Sequence, residues 1–162
     1  MRPTSVELIE RIAEALDQSV LPAVGDDKWA ASVVRSATTL LAHLAKRIPL
    51  EAPVLLADNE DAKSVLSGLA LRLHDHSPGD EAAQELRSLG DAEPIPVYDA
   101  PALDTRDRLY QTAIERLLRS AHERAWTEDI NAYVLGEIRQ YLKRRMERER
   151  DIYFPAFTGP PF

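Results

Sequence analysis

Four histidines are the side chains in this sequence best suited to hold a metal or move a proton near neutral pH. His74 and His76 flank Asp75 in LRLHDHSPGD, a spacing that chelates only from an extended or turning backbone. No further histidine–carboxylate pair at helical spacing completes a ligand set, so no metal site is expected. Both residues fall at a predicted helix end, where a histidine bonded to the last carbonyls is the simpler reading. His43 lies opposite much of its helix's apolar stripe, and His122 is followed by Glu123 and Arg124; both read as surface or boundary residues. Nucleophilic chemistry has no better footing. The chain has no cysteine, no glycine-flanked serine elbow, and six scattered glycines that make no phosphate-cradling loop. Abundant carboxylates on exposed helix faces confer solubility rather than acid–base pairing. No catalytic residue and no cofactor site are expected.

Two segments carry more information. Lys143, Arg144, Arg145, Arg148 and Arg150 form the one basic concentration, interleaved with Glu147 and Glu149. Such a mixed run reads as a solvated helix face; anion binding by Lys143, Arg144, Arg145 and Arg148 is the functional alternative. The chain then closes on DIYFPAFTGPPF, which holds all three phenylalanines within its last nine residues. Pro155, Pro160 and Pro161 stop that segment from continuing a helix. Tyr153, Phe154, Phe157 and Phe162 either fold back to seal the domain or anchor it to a partner or a second copy, since aromatics dominate interface hot spots.

The elements that must position these residues are helical. A chain of 162 residues with 44% hydrophobic and 29% charged residues is of a size and composition for one folded domain. Thr4 and Glu7 form a capping box, followed by the stripe Ile9, Ile12, Leu16 and Val20. Pro22 and Gly25 end this helix, predicted over about Ser5 to Leu21. Asp26 or Asp27 caps a second helix with Trp29 or Ala30, Val33, Ala37, Leu40, Leu41, Leu44 and Ile48 on its buried face, and Pro49 stops it. Residues 50–60, LEAPVLLADNE, are a short helix or an irregular packed segment. Asp58 is expected to cap a third helix carrying Val65, Leu66, Leu69 and Leu73, and Ser77-Pro78 to open a short fourth helix ended by Gly90. A proline-rich linker at about 90–102 precedes a helix from Asp104 or Thr105, with Leu109, Ala113, Leu117 and Ala121 in register and Ile114 and Leu118 widening the stripe. A final helix capped by Thr127 carries Ile130, Val134, Ile138 and Leu142. The expected fold is all-α, a five- to six-helix bundle-like single domain with an extended aromatic tail.

Charge narrows the partners. Residues 1–100 hold 9 Lys or Arg against 17 Asp or Glu, and residues 101–162 hold 11 against 10. The acidic half disfavours nucleic acid. No apolar run approaches the roughly 20 residues of a membrane span, and no secretory pattern opens the sequence, so a cytoplasmic address is expected.

RPTSVELIERIAEALDQSVLPAV followed by ASVVRSATTLLAHLAKRI resembles the DUF6285 family of small bacterial helical proteins. The likeness rests on Arg2-Pro3, Glu7-Leu8, the Val20-Leu21-Pro22 break, and Arg35, Leu40 or Leu41, and Arg47; it covers about residues 2–48. The resemblance implies an accessory companion of aminoglycoside-phosphotransferase-like kinases or acyl-CoA-handling enzymes, of the kind that supports a 4-hydroxyacyl-CoA kinase. The expectation is a non-catalytic subunit that binds and stabilises or activates such a protein partner, with homo-oligomerisation also open. The rival is a stand-alone small-molecule-binding or enzymatic domain using His74, His76 and the basic helix near Arg144.

Overall fold

The computed structural model describes residues 3–77, 81–123 and 126–153, the side chains of Asp151 and Tyr153 excepted. Among them every regular element is a helix. The chain forms two compact units, one drawn from Met1–Glu51 with Arg150–Phe162 and the other from Ala52–Glu149.

In the first unit, α1 (Ser5–Ala15) begins at the predicted capping box: the Thr4 amide donates to Glu7 Oε2 (2.6 Å) and the Glu7 amide to Thr4 Oγ1 (3.2 Å). Two amides that would otherwise lack a partner are thereby satisfied. Pro22 does not end the helical run. A π turn over Leu16–Val20 carries the Leu21 amide onto Leu16 O, and α2 (Leu21–Ala23) continues through the proline. The wider turn shifts the hydrogen-bond register just where the Pro22 ring would press on the preceding carbonyls. Helix α3 (Lys28–His76) opens on Asp27, whose Oδ1 accepts from the amides of Trp29 (2.9 Å) and Ala30 (3.1 Å).

Pro49 was expected to stop this helix, yet α3 runs through both Pro49 and Pro53. A proline deletes one amide donor and strains one turn; it does not forbid helical dihedrals. Strong helix formers surround both prolines, and Arg47 pairs with Glu51 at 2.9 Å, one turn apart across Pro49. The boundary between the two units falls at Glu51/Ala52, between the prolines.

The second unit holds the large core. Its helices are the later part of α3, then α4 (Glu81–Gly90), α5 (Ala100–His122) and, up to Glu149, α6 (Glu128–Tyr153). Leu66, Leu69 and Leu73 of α3 meet Ala83 and Leu86 of α4, Tyr110, Ala113, Ile114 and Leu117 of α5, and Ile130, Val134, Ile138 and Tyr141 of α6. The predicted stripe of the third helix is therefore buried in full. Two predicted stripe positions give way to tyrosines: Leu109 and Leu142 are exposed while Tyr110 and Tyr141 are buried. A tyrosine fills more volume, and each ring finds a polar partner for its hydroxyl: Tyr110 donates to Leu89 O (3.4 Å) and Tyr141 accepts from Gln111 Nε2 (2.9 Å).

Helix α5 starts earlier than expected, because Asp99 accepts from the Ala102 amide (3.1 Å) and Pro101 sits in the first turn, where its missing amide costs nothing. Residues 91–99 are non-helical and stay in the second unit, held by Lys63 Nζ donating to Ala92 O (2.7 Å) and Arg106 Nη1 to Glu93 O (3.3 Å). Pro78, expected at the start of the fourth helix, lies outside the described residues.

Candidate functional site

The core register of the second unit does not end where its apolar residues end. On α6 the buried positions run Ile130, Val134, Ile138, Tyr141 and then reach Arg145 and Arg148 at the same three- and four-residue steps. On α5 the sequence Leu103, Asp107, Tyr110, Ile114, Leu117 places a carboxylate in the stripe, and on α3 the steps back from Leu73 through Leu69, Leu66 and Ala62 reach Asp58. One layer of the core is thus built from charges.

Asp58, expected as a helix cap, is instead a mid-helix residue only 1% exposed. Its Oδ1 accepts from Arg148 Nε. Arg148 Nη2 also donates to Asp61 Oδ2 (2.8 Å), and Arg144 grips Asp61 through Nε (3.0 Å) and Nη2 (2.7 Å). Arg145 forms a fork on Asp107, Nη1 to Oδ1 at 2.7 Å and Nη2 to Oδ2 at 3.1 Å, and donates from Nε to Glu149 (2.7 Å) and from Nη1 to the Tyr141 hydroxyl (3.3 Å). The basic run expected to be a solvated face therefore turns three arginines toward α3 and α5. Of the four candidate anion-binding residues, Lys143 is exposed and the three arginines are half-buried.

The electrostatics follow from burial and pairing. Burial pushes the Asp58 carboxyl up, more strongly than its single hydrogen bond from Arg148 pulls it down. Asp61 is less buried and is held by two guanidinium groups, which override desolvation and bring its pKa below the usual carboxylate value. Burial also opposes the charge on Arg145, but the hydrogen bonds it donates to Asp107, Tyr141 and Glu149 hold its pKa above the usual arginine value. The Tyr141 phenol is raised by burial, against hydrogen bonds from Arg145 and Gln111. Each carboxylate in this layer is matched to a guanidinium, so the arrangement fixes the relative positions of three helices rather than leaving a base poised for proton abstraction.

No family model, curated protein or solved structure matches this chain. Its function has to be read from its own surfaces.

The other predicted sites are placed as follows. His74 is half-buried and His76 exposed at the end of α3, and among the described residues no group of three or more His, Asp or Glu is arranged to hold a metal. Among the same residues no helix is long and apolar enough to cross a membrane. Phe154, Phe157 and Phe162 lie outside the described residues, as does the side chain of Tyr153.

A surface that periodicity alone misassigned lies on the first half of α3. At about 100° per residue, Trp29, Val33, Leu40 and Leu44 share a sector of about 60°. All four are exposed, Trp29 by 78% and Leu40 by 64%. The covered side is the opposite one, marked by Ala31, half-buried Thr38 and Ala45. Of the expected core stripe of this helix, Trp29, Val33, Leu40, Leu44 and Ile48 face outward, while Ala30, Ala37 and Leu41 are half-buried. Leu8 and Ile12 of α1 are exposed as well.

Proposed function

We propose that this chain is a non-catalytic interaction subunit, and that the outward apolar face of α3 around Trp29, Val33, Leu40 and Leu44 is its docking surface. The observation that carries this reading is the two-faced character of that helix: one side already covered through small residues, the other offering large ones to solvent. Single exposed hydrophobics are ordinary, but an aligned row of them on one helix marks an interface. The partner surface is accordingly an apolar groove belonging to another protein. The likeness of residues 2–48 to accessory companions of kinases makes a phosphotransferase-like or acyl-CoA-handling enzyme the partner class.

Affinity purification of the full chain from its native host, compared with Leu40→Glu and with Thr112→Glu as an exposed control, tests this. A stoichiometric enzyme retained by the wild type and control, with at least tenfold weaker binding by Leu40→Glu at an unchanged melting temperature, is expected. Self-association lost in Leu40→Glu would make a second copy the occupant instead. Equal recovery of the same partner by all three proteins would refute the docking face.

A further inference from the structure

The outward row of α3 has no cover among the described residues, and the same unit holds the aromatic end of the sequence, which lies outside them. That segment departs from a defined place. The last turn of α6, from Arg150, belongs to the first unit together with α1, α2 and the first half of α3. Ile152 in that turn is only 7% exposed, so the end of α6 is seated in the structure rather than projecting into solvent. Nine residues then follow Tyr153.

Length and chemistry match the row. From Ile152 onward the sequence carries no charged side chain. Pro155, Pro160 and Pro161 bar an α-helix and favour an extended backbone. At about 3.1 Å per residue, Phe154, Phe157 and Phe162 spread over about 25 Å. The row from Leu44 back to Trp29 is about 22 Å long at about 1.5 Å per residue. Three rings therefore suffice to cover four large apolar side chains. The prolines also reduce the entropy lost when the segment is laid down. Its tether at Tyr153 sets an effective concentration of about a millimolar, which favours it over a second copy of the chain for the same face.

We propose that residues 154–162 lie along the outward face of α3 in the free protein, their phenylalanine rings against Trp29, Val33, Leu40 and Leu44, and that a protein partner gains the face by displacing them. The displacement step rests on the docking face proposed above; the covering contact does not. The exposed row is then the face as a partner meets it. The cover lowers the partner's apparent affinity in proportion to the time the face is closed.

Trp29 reports on the cover, because Trp126→Phe leaves it as the single tryptophan of the full chain. Acrylamide quenching of its fluorescence is expected to be about threefold slower than after Phe154→Ser, Phe157→Ser and Phe162→Ser are added, and unchanged over about a hundredfold dilution, as an intramolecular contact requires. Leu40→Glu in the same single-tryptophan chain places a charge under the rings without altering the tail, and unmasks Trp29 as well. Equal quenching with and without the three serines, or shielding that disappears on dilution as a dimer dissociates, would overturn the proposal. The two readings fail separately. Shielded Trp29 with equal enzyme recovery by wild type and Leu40→Glu refutes the docking face and keeps the cover; enzyme lost in Leu40→Glu with unshielded Trp29 does the reverse.

Discussion

The fork between Arg145 and Asp107 offers the sharpest test of how the second unit is held together. Arg145→Met keeps the length of the side chain and removes its charge. Asp107 then retains only the Gln111 amide at 3.4 Å, at a position where its side chain is 9% exposed. Breaking one partner of a buried pair costs about 3–5 kcal/mol. Arg145 keeps 19% of its own side-chain surface in contact with water, which places the expected loss near the lower end, about 3 kcal/mol. Asp107→Leu alone costs less, about 1–2 kcal/mol, because Arg145 keeps Glu149 and Tyr141. The double variant Arg145→Met/Asp107→Leu regains most of the loss, since replacing a buried pair by apolar residues is close to neutral. Urea titration in a Trp29→Phe background reads this directly: the chain has two tryptophans, and Trp126 packs against the core of the second unit. A loss below about 1 kcal/mol in the single variant, or a double variant no more stable than Arg145→Met, would refute the view that this layer is a desolvated, mutually dependent pair.

Asp58 and Asp61 share Arg148 yet should respond oppositely to acid. Asp61 has a lowered folded-state pKa, so Asp61→Asn is less stable than wild type near pH 7, and the deficit closes as the pH falls below about 4 through that lowered value. Asp58 has a raised folded-state pKa, so wild type gains stability relative to Asp58→Asn as the pH falls from that raised value to about 4; denaturant midpoints across pH 3–7 check both signs. Thr4→Ala removes an N-cap acceptor and should cost about 1 kcal/mol, read as loss of helical dichroism in the first unit's transition. Gly68 and Gly136 are helical, and an added Cβ would meet nothing within 4 Å at either site. Gly68→Ala and Gly136→Ala should therefore each raise stability by about 0.5–1 kcal/mol in the same titration, through backbone entropy alone.

Two helix starts near the beginning of the chain were legible because their chemistry is local, whereas Asp58 is mid-helix and α5 opens at Asp99 rather than at Asp104 or Thr105. Thr4 with Glu7 is used as read, and of the two candidates Asp26 and Asp27 it is Asp27 that accepts from the amides of Trp29 and Ala30. Helix stops were less legible where proline was the only signal. Gly90 does end α4, but Pro22 and Pro49 are absorbed, the first by a π turn and the second within a run of strong helix formers. Whether a proline ends a helix or strains it depends on what the following residues pack against, and that is decided far away in the chain.

The same distance hid the charged layer and inverted one helix face. Arg144, Arg145 and Arg148 find carboxylates 83, 38 and 90 residues away, so the nearby Glu147 and Glu149 suggested a neutralised surface. A signal was nevertheless present: Asp58, Asp107, Arg145 and Arg148 all stand at stripe positions, where a surface charge has no reason to fall. Two acids and two bases at core register on three helices pair only when those helices meet, which is why the pattern on any single helix looked like an ordinary break in the stripe. On α3 the difficulty was different. Its first half is apolar on two sides, and periodicity measures how apolar a face is rather than what covers it. Ala31 and Ala45 are buried, and Trp29, Val33, Leu40 and Leu44 are left uncovered. A face that would ordinarily be the heart of a bundle stands on the outside.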